Sequence, residues 1–91
     1  MRKRAHVYYA GRVQGVGFRY TVREIVCGFE VTGWVCNRLD GRVELVAEGE
    51  EEEIQSFLEA IRVSQLGNYI RGEETAWGTA AGNLVGFEIR F

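Results

Sequence analysis

Within its first thirty residues the chain switches from one side-chain period to another, and the switch constrains the fold more than any other feature. Ala5, Val7 and Tyr9 alternate with His6, Tyr8 and Ala10, the period of a half-buried strand. Val22, Ile25, Val26 and Phe29 then fall at i, i+3, i+4 and i+7, one face of a helix. Between them runs Gly11-Arg12-Val13-Gln14-Gly15-Val16-Gly17-Phe18-Arg19. A strand must therefore pass through a glycine-studded loop into a helix, which the pattern predicts to begin near Phe18.

Gly15 and Gly17 lack a Cβ and enter left-handed conformations that other residues avoid. Successive N–H groups, those of Gln14, Gly15, Val16, Gly17 and Phe18, can then turn toward one point, and such a nest at a helix N-terminus attracts anions. Arg19 adds a planar fork of donors that matches phosphate oxygens. The loop has neither the Gly-Lys-Ser/Thr ending of a Walker loop nor the spacing of G-x-G-x-x-G. On these residues alone two readings stand, an anion nest and a connection that carries glycine for steric reasons.

Val31–Cys36 reads as a second strand and Arg42–Ala47 as a third, with the hairpin signal Asp40-Gly41 between them. Asn37 thus ends a strand beside a tight turn, where a rigid scaffold presents functional side chains. Glu50–Glu53 open a second helix whose Ile54, Phe57, Leu58 and Ile61 repeat the helical stripe. Four clustered carboxylates suggest a hard-cation site, but acidic residues favour the first helical turn and successive helical positions diverge, so they read as helix-start residues. Tyr69–Trp77 reads as a strand in which Gly72-Glu73-Glu74 points to an edge or a bulge. Gly78–Gly82 reads as a mobile loop, and a last strand follows with Phe87, Ile89 and Phe91 inward and Glu88 and Arg90 outward. The order strand-helix-strand-strand-helix-strand, plus a final strand, predicts an α+β two-layer sandwich with both helices on one face of a mainly antiparallel sheet.

Ninety-one residues suit one domain, here residues 1–91. An apolar fraction of 46% and a charged fraction of 26% are ordinary for a soluble globular protein. A net charge of −2 argues against the broad positive field of a nucleic-acid binder. No apolar run reaches the roughly 20 residues that span a bilayer, and Met1-Arg2-Lys3-Arg4 reads as a solvated strand start without a signal-peptide core. Cys27 and Cys36 fit no metal-ligand spacing, so a cytoplasmic protein with free thiols is expected and a disulfide between them is not favoured. Trp34 reads as sheet packing, and Arg12 and Arg38 as surface arginines.

The glycine loop resembles the G-R-V-Q-G-V-G-F-R signature of the acylphosphatases, and Gly33-Trp34-Val35-Cys36-Asn37 followed by Asp40-Gly41 is similar to their second signature. The closing Gly86-Phe87-Glu88-Ile89 resembles the family's G-F-x-I strand, so the likeness covers nearly the full length. The resemblance implies a ferredoxin-like fold with a five-stranded sheet and hydrolysis of acyl phosphates to a carboxylate and inorganic phosphate. It implies that the backbone N–H groups of Gln14 to Phe18 and the Arg19 side chain hold phosphate, while Asn37 orients the attacking water. Neither metal nor organic cofactor is expected, and the partner is a small-molecule acyl phosphate. A monomer is expected, with no nucleic acid and no membrane. An asparagine accepts no proton at neutral pH, and mid-strand His6 reads as a sheet residue, so the substrate's own phosphate is expected to receive the proton. The chain departs from the family at Gly28-Phe29-Glu30, where Glu30 stands at the left-handed cap usually given to glycine. Glu30→Gly is therefore expected to stabilise the fold. The alternative reading is a non-catalytic ferredoxin-like module binding phosphate-bearing metabolites or RNA, although no aromatic-rich RNA-binding motif is present.

Overall fold

The computed structural model describes residues 2–91. The elements are β1 (Arg2–Gly11), α1 (Phe18–Val26), β2 (Thr32–Asn37), β3 (Val43–Glu50), α2 (Glu51–Val63), β4 (Ile70–Thr79) and β5 (Phe87–Arg90), with a 3-10 turn at Gln65–Asn68. They form a ferredoxin-like sandwich whose five-stranded sheet runs β4-β1-β3-β2-β5. Every neighbouring pair is antiparallel except β2 and β5.

Strand alternation decides which side is covered. Ala5, Val7 and Tyr9 of β1, Val43, Leu45 and Ala47 of β3 and Val35 of β2 share one buried cluster with Val22 and Val26 of α1 and Ile54, Phe57, Leu58 and Ile61 of α2. Register locks the match, since Val7 and Val35 both pair with Leu45. A one-residue slip would turn this whole set to the other face. The β2–β3 hairpin closes where Asp40-Gly41 signalled it, with the Arg38 N–H donating to the Arg42 carbonyl at 2.8 Å. β4 lies at a sheet edge, and the pairing of β1 with β4 shifts register at Ala10/Gly11.

Four local expectations are corrected. Phe29 lies beyond α1, although its ring still packs 5.8 Å from that of Phe57. The N–H groups of Cys27, Gly28 and Phe29 bond back to the carbonyls of Glu24, Ile25 and Val26, tightening the last turn. A helix closed this way needs no left-handed residue: among the described residues no non-glycine has positive φ, and the Glu30 N–H donates to Glu53 Oε2 at 2.9 Å. Glu30 therefore carries no cap strain for a glycine to relieve.

Gly78 and Thr79 continue β4 rather than opening a loop. The connection is residues 80–86, and because β4 and β5 occupy opposite edges it must traverse the sheet. Four inter-strand gaps measure about 19 Å, within the roughly 26 Å that eight extended residue steps reach. Midway, the fully buried Glu48 carboxylate accepts hydrogen bonds from the Ala81 and Gly82 N–H groups at 2.9 and 3.2 Å. Phe91, expected inward, follows the end of β5 and is 91% exposed.

Candidate active site

The loop after β1 is anchored at both ends by burial. Val13 is fully buried, and Phe18 is buried with its ring 5.1 Å from that of Tyr9. Between these anchors Gly15 and Gly17 sit at φ +79° and +76°, and a Cβ on either would meet nothing within 4 Å. Dihedral angle rather than crowding therefore demands glycine here.

Gly17 is the residue from which α1 starts. The first bond of the helix runs from the Thr21 N–H to the Gly17 carbonyl at 3.0 Å, leaving Phe18, Arg19 and Tyr20 with N–H groups that have no partner inside it. No side chain caps this end, and its first turn holds no acid, whereas α2 opens with Glu51, Glu52 and Glu53. The positive end of α1 is thus left without a side-chain partner.

Asn37 is the last residue of β2, and alternation puts it on the same side as the buried Gly33 and Val35, beneath α1. Its Oδ1 is buried and accepts no hydrogen bond, a condition that native proteins rarely leave unexplained. Val13, Gly15, Gly17, Phe18, Arg19, Tyr20 and Asn37 line one cavity of about 140 Å3. Two segments far apart in sequence, one supplying cationic and N–H donors and the other a free acceptor, thus meet in one small space. The side chains of Gln14 and Val16 turn elsewhere: that of Gln14 extends to the β2–β3 loop, and that of Val16 packs against the core.

Sequence reasoning missed the neighbours of Arg19. Its Nη1 donates to the Arg90 carbonyl at 3.3 Å, and its guanidinium lies 4.8 Å from the centroid of the Phe91 ring. Both contacts require the parallel seating of β5 on β2, where Arg90 pairs with Cys36, and no local pattern announces that. His6 lies elsewhere. Its Nε2 is 2.6 Å from Glu44 Oε2, and Glu44 also accepts from Tyr8 and Arg38.

Burial pushes the Cys36 thiol pKa up, and Glu44 beside it adds to the shift. A thiol held protonated is a poor nucleophile. Both cysteines are free. A wider groove of about 860 Å3 between α2 and β4 contains no residue of either sequence motif. Among the described residues no group of three or more His, Cys, Asp or Glu is placed to hold a metal ion, and no helix is long and apolar enough to cross a membrane.

Fold and cavity together define a ferredoxin-like protein with a small pocket between a helix N-terminus and a strand end. The acylphosphatase family model matches residues 5–89. An acylphosphatase from Bacillus velezensis is 56% identical over 57 residues, a stretch that spans 63% of this chain and 63% of that relative. One from Pelotomaculum thermopropionicum is 37% identical over 90 residues, covering 99% of this chain and 98% of its own. The crystal structure of acylphosphatase from Bacillus subtilis superposes with a TM-score of 0.86 at 35% identity, covering 98% of this chain and 99% of that one. The chain belongs to the acylphosphatase family. That membership carries the family's activity, hydrolysis of acyl phosphates.

Proposed function

We propose that this chain hydrolyses the carboxyl–phosphate anhydride bond of a small-molecule acyl phosphate with the phosphoryl group seated in the 140 Å3 cavity. The backbone N–H groups of Gln14, Gly15, Val16, Gly17 and Phe18 and the Arg19 fork hold its oxygens. Asn37 Oδ1 accepts a hydrogen bond from the attacking water. The observation that carries this reading is the buried, unpartnered Asn37 Oδ1 in the same cavity as Arg19.

The substrate is a mixed anhydride whose leaving group is a carboxylate, so positioning and charge stabilisation can carry the reaction. The water oxygen bonds to phosphorus as the bond from phosphorus to the carboxylate oxygen breaks. The carboxylate leaves with that electron pair, and the water proton passes to a phosphoryl oxygen. His6 is engaged with Glu44 and does not line the cavity. Every group in this scheme belongs to this chain and to the substrate, so the reaction as drawn calls for no second subunit, metal or organic cofactor. The net charge of −2 is the ground for proposing no nucleic-acid partner, and the two free thiols are the ground for proposing a cytoplasmic setting.

Hydrolysis of benzoyl phosphate in the presence of EDTA, followed by absorbance, tests the reading. Arg19→Lys is expected to lower phosphate affinity and rate together. Asn37→Ala is expected to lower kcat about a hundredfold while inorganic phosphate still inhibits. No phosphate release by the unmodified chain, or release that EDTA abolishes, overturns the proposal.

A further inference from the structure

The Gln14 side chain turns away from the cavity that its loop helps to form. Its carboxamide nitrogen lies 2.7 Å from the Arg38 carbonyl oxygen and 3.0 Å from the Arg42 carbonyl oxygen. A carboxamide has two N–H donors, so both are engaged by the hairpin loop that follows β2. Arg38 and Arg42 are the residues that close that loop, and Arg38 is joined by a peptide bond to Asn37. Among the described residues no other hydrogen bond links the loop at 12–17 to the loop at 38–42. Gln14 is exposed, so this side chain is ordered for its hydrogen bonds and not for apolar burial.

We infer that Gln14 is a positioning residue: its side chain braces the phosphate loop against the β2–β3 hairpin and so sets the placement of Asn37 relative to the phosphoryl group. The inference rests on the function proposed above. In that reaction water must approach phosphorus opposite the leaving oxygen, and its direction depends on how two separate segments lie against each other. A misplacement of about 1 Å in such an arrangement costs on the order of a hundredfold in rate. The cradle keeps its own N–H groups and Arg19 whether or not the brace is present, so binding and turnover separate.

Gln14→Leu keeps the bulk and removes both donors. It is expected to lower kcat on benzoyl phosphate about ten- to a hundredfold, while the inhibition constant of inorganic phosphate changes less than about threefold, as intact N–H donors imply. Gln14→Glu sets an ionised carboxylate against two carbonyl oxygens near neutrality and is expected to lose as much. A neutral carboxyl donates one hydrogen bond, so the Gln14→Glu rate, taken as a ratio to the unmodified chain at each pH, should recover in part as pH falls toward the ordinary carboxyl value of about 4.3. An unchanged kcat in Gln14→Leu overturns the inference. So do equal losses of kcat and phosphate affinity, a flat Gln14→Glu ratio, or a Gln14→Leu chain that no longer folds. An unmodified chain that leaves benzoyl phosphate intact overturns the proposed reaction instead, which separates the two failures.

Discussion

Glu44 is the residue through which the sheet face opposite the helices is organised beside the β2–β3 hairpin. Burial alone would raise its carboxyl pKa, but hydrogen bonds from His6, Arg38 and Tyr8 outweigh burial and hold it below its ordinary value of 4.5. A carboxyl lowered by folding stabilises the protein fully above its unfolded value, and that contribution disappears as pH falls through the lowered folded value. Melting temperature measured from pH 6 downward should therefore drop more steeply in the unmodified chain than in Glu44→Gln. Parallel curves would show that the cluster contributes nothing to acid stability. Asp40 is held at about 2 by hydrogen bonds from Arg42, yet it is solvent-exposed, and exposed pairs contribute little. His6 was legible as a sheet residue from its place in the alternation. Its partner was not, because Glu44 is 38 positions away and meets it only through the β1–β3 register.

The two helices show how much one element carries in its own sequence. α2 begins where its glutamates accumulate, and its four apolar stripe residues are the four that are buried. α1 begins at Phe18 as its stripe and glycines predict, but it ends differently. The family pattern pointed to a left-handed cap at Glu30, whereas a tightened last turn closes the helix with ordinary dihedrals. Glycine at position 30 then adds only freedom to the unfolded chain, a loss of about 0.4–1 kcal/mol. Glu30→Gly is expected to lower the melting temperature by about 2–6 °C, as calorimetry would register. A rise would restore the left-handed cap. The Glu30 N–H finds its acceptor on Glu53 of the other helix, a partner that the residues flanking Glu30 do not encode.

At the scale of the whole molecule, the long return from β4 to β5 is the step that gives Arg19 its partners. It brings the Arg90 carbonyl and the Phe91 ring to Arg19, and the buried Glu48 carboxylate holds it midway. Arg4 Nη1, 3.9 Å from Glu48 Oε2, offsets part of the cost of burying that charge. Glu48→Ala would leave the Ala81 and Gly82 N–H groups without their acceptor, so it is expected to cost on the order of 2 kcal/mol. Urea unfolding measures that loss, and faster amide exchange at these two positions locates it. An unchanged midpoint with unchanged exchange would mean that the crossing is held by its strands alone.

Element order, the helix-facing side of β1 and, apart from Phe91, of β5, the glycine-loop motif and the candidacy of Arg19 and Asn37 are all readable along the chain. Period two, the helical stripe and the glycine spacing arise from local backbone geometry, which neighbouring residues carry between them. The burial of Asn37 Oδ1 beside Arg19, the Gln14 reach to Arg38 and Arg42, the exposure of Phe91 and the closing of α1 are contacts between distant segments. These depend on strand order and register across the sheet, and burial and hydrogen-bond geometry acquire values once the layers have packed.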